Sequence, residues 1–431
     1  MVLFSWLLWG DFAWSVRDRA IPPLMQMLLQ KFGASDLQVG LIFGSLPGLL
    51  GIFVGPVVSY KSDRHRGRRG RRIPFILFPT PFMAAAVMGL AFSPLLGTYL
   101  HKAMGSHSPG MNPSVLVCFA IFWTLFELAS MVSNAVYGAL INDVVPHSLL
   151  GRFYSLFRAT SLFAGIFFSY WFLGKAETLY VWIFLGIAAV YAIGVTSMCL
   201  NVKEGEYPDQ LPMDHGRPAR GIVATAKAYF QECFSHGYYR WYFAATIIAA
   251  TSNIPFNLFA FFFAKSIGMS TDTYGKCLSL TWTISLFLSF PIGWLADRFH
   301  PLRVALAMLV LYTSAMLAGF LLTRNITTFG IFLVLHGVLA GAWGTSSASI
   351  GQRLLPQAEF AQFCSAGGVV GTLFGIAVAP SVGFLLDQAH HQYRYTFLIG
   401  FWVSVLGVVL LAILHSKFMA LGGPKAYSAP E

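Results

Sequence analysis

Residues 59–72 read SYKSDRHRGRRGRR and form a basic loop, with seven Lys and Arg between two long apolar stretches. A hairpin this short needs glycine for its turn, which Gly67 and Gly70 supply, and its cations suit the headgroups at a membrane surface. Two roles are open for the loop. Its arginines could serve only to orient the chain in the membrane. Alternatively, Asp63 could pair with an arginine or a helix N-terminus and hold one conformation closed.

The composition of the whole chain is that of a membrane protein. Of the 431 residues, 56% are hydrophobic and 10% are charged, whereas a soluble domain carries about 25% charged residues. This argues against a soluble enzyme. The net charge of +11 fits basic cytoplasmic loops better than nucleic-acid binding, because no polar domain carries a basic stripe with interleaved aromatics. The five cysteines are scattered singly, so we expect no disulfide framework, no metal site and no cofactor.

Twelve apolar stretches are long enough to cross the hydrocarbon core as helices, which takes about 20 residues. Their continuous apolar character disfavours a β-barrel, in which apolar residues alternate along each strand. The predicted spans 1 to 12 cover, in order, residues 3–30, 38–60, 73–93, 114–141, 153–174, 178–200, 240–265, 273–295, 304–322, 329–351, 361–386 and 395–415. The predicted fold class is therefore all-α and integral to the membrane, with a longer outer loop at 94–113.

The distribution of Lys and Arg predicts the orientation of the spans. An even number of spans places both termini on the same side. Of the 28 Lys and Arg, eighteen fall in the loops and tail of that side, seven on the other side and three within spans. Because cytoplasmic loops carry the excess of basic residues, we expect both termini in the cytoplasm and the protein in the plasma, or inner, membrane.

An internal repeat divides the chain into two halves. Residues 62–64 read SDR and residues 296–298 read ADR, each after the second span of its half. We predict an N-terminal six-helix bundle at 1–200, a cytoplasmic linker at 201–239, a C-terminal six-helix bundle at 240–418 and a cytoplasmic tail at 419–431. Repeated halves are typical of secondary transporters, which bind substrate between the halves near the middle of the membrane.

Several motifs resemble one transporter family. Residues 59–76, which extend the basic loop through IPFI, resemble the signature loop of the major facilitator superfamily. Their form is similar to that of the sucrose–proton symporters and the related glycoside–pentoside–hexuronide cation symporters. The pattern FAW at 12–14 with PLMQ at 23–26 is similar to the first helix of the sucrose transporters. Glu127, sixteen residues before Asp143 in ALIND, is similar to the acid of span 4 and the Ala-Leu-Leu-Ala-Asp motif that follows it.

The resemblance implies two pseudo-symmetric six-helix bundles that move a sugar or glycoside by alternating access, without enzymatic activity. It implies that the acid of span 4 couples transport to protons and that an arginine of span 5 is its partner in sugar recognition. The predicted proton-coupling residues are Glu127, Arg158 and Asp18. The predicted cytoplasmic gate comprises Asp63, Arg64, Gly70, Arg71, Arg72, Asp143, Arg152, Asp297 and Arg298.

Charged residues inside span 1 predict a substrate site. A charge in the middle of the membrane costs about 2.5–3.5 kcal/mol on insertion scales, so such residues face a cavity or a partner. At about 100° per residue, Asp11 and Asp18 fall on one stripe, whereas Arg17 is predicted to point away from Asp18. Carboxylates accept hydrogen bonds from sugar hydroxyls, and Trp14 could pack on a pyranose face. An internal salt bridge of Asp18 that serves packing only is an equal alternative.

Span 4 carries a single polar stripe, formed by Glu127, Ser130, Asn134 and Tyr137. If substrate engages Arg158, Glu127 is released to take a proton, so coupling would follow from competition. A purely structural ion pair is the alternative. The second half offers mainly neutral contacts, and a lone membrane histidine there is more often a packing residue. The predicted substrate-binding residues are Asp11, Trp14, Asp18, Arg19, Gln26, Asn134, Tyr137, Asn253, Asn257, Trp282, His336 and Trp343.

Two departures from the resembled families bear on the coupling ion and the substrate. Residues 51–56 hold no acid where sodium-coupled relatives carry two, so we expect H⁺ rather than Na⁺. Residues 17–19 read RDR where sucrose transporters are mostly uncharged, so the substrate could be another glycoside or bear an anionic group. The main rival is an exporter or antiporter of another small solute on the same fold; an intramembrane enzyme and a transport-dead receptor are weaker rivals. We expect a monomer whose partners are a small-molecule substrate and the bilayer.

Overall fold

The computed structural model describes residues 2–146, 149–205, 233–356 and 360–430, except for the side chains of Tyr60, Asp63, Leu150, Arg152, Ala361 and Lys425. Helices correspond to all of the predicted spans. They are α1 (Val2–Lys31), α2 (Asp36–Val39, Gly40–Ser45 and Leu46–Arg64), α3 (Ile73–Leu77 and Pro79–Met104), α4 (Met111–Val144), α5 (Leu150–Trp171), α6 (Ala176–Asn201), α7 (Gly237–Thr251 and Ile254–Ser266), α8 (Thr271–Phe299), α9 (Pro301–Leu322), α10 (Ile326–Ser347 and Ile350–Leu354), α11 (Phe360–Gln388) and α12 (Tyr395–Ala420). Short helices lie at Gly105–His107, Leu173–Lys175 and Gly423–Ala426.

Ten of these helices are long and apolar enough to cross a membrane. The other two, α1 and α5, have 30 and 22 residues and carry the interior charges noted above. At about 1.5 Å per residue, both are still long enough to span the hydrocarbon core. The predicted fold class is confirmed, and the protein is an integral membrane protein.

The predicted outer loop at 94–113 was wrong in its first half. Helix α3 continues through Pro94 to Met104, and Ser93 Oγ donates a 2.8 Å hydrogen bond to the Leu90 carbonyl, which the missing Pro94 N–H leaves free. A proline removes one backbone donor but does not end a membrane helix when nearby groups satisfy the freed carbonyls.

The connection between the two halves is described at its two ends. Helix α6 ends at Asn201 and α7 begins at Gly237. Residues 206–232, which include most of the predicted linker, lie outside the described residues. The predicted domain boundaries therefore stay predictions.

Two helices that face each other across the halves are irregular. A six-residue π-helical segment, Gly40–Ser45, interrupts α2. Helix α7 breaks at Ser252 and Asn253, and its second segment begins with Pro255 near its first position. Breaks of this kind within a membrane are tolerated where the backbone is buried in protein or lines a cavity.

The halves pack closely at the end where α1 ends and α2 begins, which we call the distal end. In α2, Gly40, Gly44 and Gly48 recur every four residues along the seam with α11. A Cβ atom on Gly40 would lie 2.5 Å from the Ala379 carbonyl oxygen, and one on Gly48 would lie 2.6 Å from Ile376 Cγ1. Small residues at this spacing let two backbones approach closely. The distal end is therefore closed by helix packing between the halves.

Candidate functional site

A buried arginine organises the charged residues of α1. Arg17 is fully buried, and it donates hydrogen bonds to Ser130 Oγ and Asp18 Oδ1, both at 3.2 Å. Its guanidinium lies 4.6 Å from the centre of the Trp14 ring. The prediction that Arg17 points away from Asp18 was wrong, because a long arginine side chain can turn back to the residue beside it. The Asp18 side chain remains 63% exposed.

Glu127 on α4 lies beside this cluster. Its electrostatic neighbours are Arg17 and Asp18. It is half-buried and forms no hydrogen bond or ion pair with any residue that the structure describes. Arg158, the predicted partner, instead donates a 2.8 Å hydrogen bond to Thr345 Oγ1 on α10. The arginine beside Glu127 is therefore Arg17, which the sequence analysis left out of the site.

Arg19 joins α1 to the other half. Its guanidinium lies 4.5 Å from the centre of the Trp282 ring on α8. It also donates to Ser161 Oγ on α5 at 3.0 and 3.2 Å. Asp18 and Arg158 are its electrostatic neighbours. The predicted residues Asp18, Arg19, Arg158 and Trp282 are thus brought together between the halves.

Trp14 and Tyr137, predicted to contact sugar, are buried against each other. Their rings stack at 4.4 Å with an interplanar angle of 6°. Asp11 is also buried, and its Oδ2 atom has no hydrogen-bond partner among the described residues. Asn134 is exposed and donates to Ser130 Oγ at 3.3 Å. In this conformation Asn134 is accessible to a substrate, whereas Trp14 and Tyr137 support the cluster from behind.

A hydrogen-bonded chain runs through the C-terminal half to α1. His336 lies between the Tyr312 hydroxyl, 3.2 Å from Nδ1, and Asn257 Oδ1, 2.9 Å from Nε2. Gln26 Nε2 on α1 donates to the main-chain oxygen of Asn257 at 2.8 Å. Asn257 is exposed, whereas His336 is buried behind it. The sequence named three members of this chain but missed Tyr312, because only the fold brings α9 against α10.

Two further predicted substrate residues occupy less accessible positions. Asn253 is half-buried at the break in α7, where its carbonyl accepts the Asn257 N–H at 3.0 Å. Trp343 is half-buried, and its buried Nε1 atom has no hydrogen-bond partner within the described part of the chain.

The basic loop is held by carboxylates of its own half. Asp143 accepts hydrogen bonds from Arg71 at 2.7 Å and from Arg72 at 3.1 Å. Glu204 accepts the main-chain N–H groups of Arg71, Arg72 and Ile73. Gly70 has φ +92°, which favours glycine in the turn. Glu204 was missed, since it follows α6 and only folding brings it to the loop.

The other predicted gate residues are partly described. In the repeat, Asp297 pairs with Arg353 at 3.6 Å, and Arg298 stacks over Trp294. Arg64 lies at the end of α2. The side chains of Asp63 and Arg152 lie outside the described residues, so the gate role of the repeated aspartates stays a prediction.

The distal end carries a polar latch that the sequence analysis did not anticipate. Asp36 accepts hydrogen bonds from His391 Nδ1 at 2.7 Å and from the Tyr393 hydroxyl at 3.0 Å. Asp387 accepts the main-chain N–H groups of Asp36 and Leu37, both at 3.0 Å. The hydrogen bond to Asp36 raises the pKa of His391. The latch therefore joins the start of α2 to the end of α11 and the loop after it.

Within the described ranges, three residues of the latch could hold a metal ion. The ligand atoms of Asp36, Asp387 and His391 lie within 4.8 Å of one another. The same atoms already take part in the hydrogen bonds of the latch, so the geometry is explained without a metal.

Comparisons with known proteins agree with this architecture. Residues 11–380 and 241–418 match the family model of the Major Facilitator Superfamily. Sucrose transport protein SUC4 of Arabidopsis thaliana is 25% identical over 154 residues, which are 35% of this chain and 28% of that protein.

Solved structures share the fold along almost the whole chain. A bacterial homologue of the iron transporter ferroportin, in an inward-facing state, has a TM-score of 0.70 at 14% identity, with 96% of this chain and 98% of that one covered. A bacterial homologue of the human lysosomal transporter Spinster has a TM-score of 0.67 at 14% identity, with 100% and 98% covered. At such identities the likeness shows the fold alone. The chain belongs to the Major Facilitator Superfamily, and it is a transporter of small molecules rather than an enzyme.

Proposed function

We propose that the protein is a proton-coupled symporter of a sugar or glycoside that works by alternating access. The observation that carries the proposal is the cluster of Arg17, Asp18 and Glu127 on α1 and α4. It combines one buried cation with two carboxylates, and only Asp18 is paired with the cation. Glu127 is left to be neutralised by a proton.

The energetics favour a protonated carrier. A carboxylate within the membrane costs about 2.5–3.5 kcal/mol on insertion scales. Glu127 has no hydrogen-bond donor among the described residues to offset that cost, whereas Asp18 has Arg17. Proton binding to Glu127 removes the charge before the halves move. A sugar that donates its hydroxyls to Asp18 or accepts from Arg19 would bind beside the protonated acid.

The packing of the halves supports alternating access. The distal end is closed by the glycine seam and by the latch, and Asn134, Arg158 and Asn257 are exposed side chains on helices of both halves. Substrate held among them would be released at the end where the termini lie. We place that end in the cytoplasm on the distribution of basic residues.

Uptake into proteoliposomes tests the proposal. We expect sucrose, used as the probe, to accumulate when an inward proton gradient is imposed and not when a sodium gradient replaces it. Dissipating the proton gradient with a protonophore should stop accumulation but leave counterflow. Accumulation that is indifferent to the proton gradient would overturn the coupling, and failure of a panel of sugars to bind or exchange would overturn the substrate class.

The alternative is an exporter or antiporter of another small solute on the same fold. The solved structures with this fold include a bacterial homologue of an iron transporter, so the fold fits both functions equally well. The same proteoliposomes separate the two. An antiporter would load solute when the proton gradient is directed outward, because protons leave as solute enters. The proposed symporter requires an inward proton gradient.

A further inference from the structure

A cavity of about 300 Å³ lies in the seam between the halves, among α2, α7 and α11. Its lining includes Phe43, Gly44, Asn257 and Gly375. Sequence analysis assigned it no role, apart from naming Asn257 as a substrate contact. We propose that this cavity is a subsite that holds one sugar ring of a two-ring substrate. The inference rests on the proposed function, and it adds a second subsite separate from the charged cluster on α1 and α4.

The size of the cavity selects a single ring. Ligand pockets have volumes of roughly 300–1,000 Å³, so this one lies at the lower bound. Gly44 in the π-helical segment of α2 and Gly375 in α11 form part of its wall. Neither residue has a side chain that would fill the space. A Cβ atom on Gly375 would have no atom within 4 Å. The space beside Gly375 is therefore open to a ligand.

An aromatic ring forms another wall. Phe43 stacks on Trp123 with ring centres 5.4 Å apart and an interplanar angle of 8°. Trp123 is fixed in turn, because its Nε1 donates a 2.8 Å hydrogen bond to the Ile42 carbonyl. A rigid aromatic ring gives a sugar an apolar surface against which the C–H face of a sugar ring packs.

Asn257 supplies the polar contact, and His336 holds it in place. When His336 carries its proton on Nε2, it donates to Asn257 Oδ1, and its Nδ1 accepts from the Tyr312 hydroxyl. The Nδ2 group of Asn257 forms no hydrogen bond with the part of the chain that the structure describes. An amide oriented in this way offers two N–H donors to sugar hydroxyl oxygens. His336 and Tyr312 thus act as positioning residues.

The position of Asn257 also ties this subsite to the closed distal end. Gln26 of α1 donates to its main-chain oxygen across the halves, and Ala379, which packs on Gly44 in the seam, lines the same cavity. A ring bound there would contact both halves at once. We therefore expect a two-ring sugar to bind more tightly than a one-ring sugar.

Calorimetric binding to the purified protein tests the subsite, with sucrose and methyl α-glucoside as probes. Gly375→Leu fills the cavity. Gly368→Leu, on the same helix and also in open space, is the matched control because Gly368 does not line the cavity. Asn257→Asp keeps an oxygen for His336 but removes the free donors. We expect Gly375→Leu and Asn257→Asp to weaken sucrose binding about 10-fold and to leave methyl α-glucoside binding unchanged, with Gly368→Leu at wild-type affinity for both.

The outcomes separate the inference from the proposed function. If Gly375→Leu and Asn257→Asp both bind sucrose with wild-type affinity, the subsite is overturned but the proposed function is not. Equal weakening of both probes in Gly375→Leu overturns it as well, since the effect would not depend on the second ring. If no sugar binds the wild type, the proposed function fails and the subsite fails with it.

Discussion

Arg17 is the residue on which the charged cluster depends. It is fully buried between α1 and α4, and hydrogen bonds to Ser130 and Asp18 as well as stacking on Trp14 hold it there. Hydrogen bonds that involve a charged group contribute about 1.5–3 kcal/mol. Arg17→Lys keeps the charge but loses one of the two bonds and the planar stacking. We expect the free energy of unfolding to fall by about 1.5–3 kcal/mol.

Thermal unfolding in detergent measures this change. Arg324→Lys, at an exposed arginine of the distal end, is the control and should leave the midpoint unchanged. Equal midpoints for the two variants would mean that Arg17 is not held by these contacts.

Glu127→Gln tests whether the Glu127 carboxyl group couples transport to protons. The amide has the size of the protonated acid but cannot release a proton, so the variant should exchange substrate and fail to accumulate it. We expect uphill uptake to fall at least 100-fold while counterflow stays within a few-fold of the wild type. Proteoliposome uptake with and without a proton gradient provides both numbers. Asp272→Asn, an exposed acid of the distal end, should behave as the wild type; wild-type accumulation by Glu127→Gln would refute its role as the coupling acid.

The sequence predicted which residues carry charge, but it did not predict their partners. The stripe through Glu127 and Ser130 follows from helical periodicity, and both side chains lie at the cluster. The arginine beside Glu127 could not be identified from the sequence. The choice between Arg17 and Arg158 depends on how α1 and α5 pack against α4. For the same reason Tyr312 and Glu204 were missed, since they belong to helices or helix ends that only tertiary packing brings to their partners.

At the scale of helices, the latch at the distal end predicts a pH dependence. The hydrogen bond to Asp36 raises the pKa of His391 above its ordinary value of 6.5. Protonated His391 is therefore favoured when the latch is formed. Its contribution is fully present below the ordinary pKa and is lost as the pH rises through the raised value. Among the described residues, Asp36, Asp387 and Tyr393 are the titratable groups that face His391.

We expect the wild type to lose thermal stability on going from about pH 6 to about pH 9 by more than the His391→Gln variant does. His390→Gln, at the adjacent and exposed histidine, should show the wild-type dependence. If all three proteins have the same pH profile, then the latch does not titrate through His391.

Helix existence followed from the sequence more reliably than helix shape. Continuous apolar stretches of about 20 residues fix the number and approximate ends of the helices, because the hydrocarbon core demands that length. The break at Asn253 and the π-helical segment at Gly40–Ser45 change hydropathy very little, so they left no signal. The predicted span 3 ended at residue 93, just before Pro94, whereas the backbone in fact continues as a helix through Pro94.

For the whole molecule, the glycine seam sets the balance between the closed and open distal end. Overpacking a close helix contact costs about 1–3 kcal/mol, and every 1.4 kcal/mol changes an equilibrium constant tenfold. Gly40→Val would place a side chain against the Ala379 backbone, which cannot move aside without separating α2 from α11. We expect the population with a closed distal end to fall relative to the open one by roughly 5- to 140-fold. Gly55→Val, on the same helix with open space beside it, is the matched control.

Distances between spin labels at Lys31→Cys and Gln388→Cys, in a background with the exposed Cys364 replaced by serine, report this equilibrium. We expect a short distance in the wild type and in Gly55→Val, and a second, longer distance in Gly40→Val. Net uptake should fall in Gly40→Val alone, because release at the end where the termini lie requires the distal end to close. A single short distance in Gly40→Val would contradict the role of this seam in setting the balance between the closed and the open distal end.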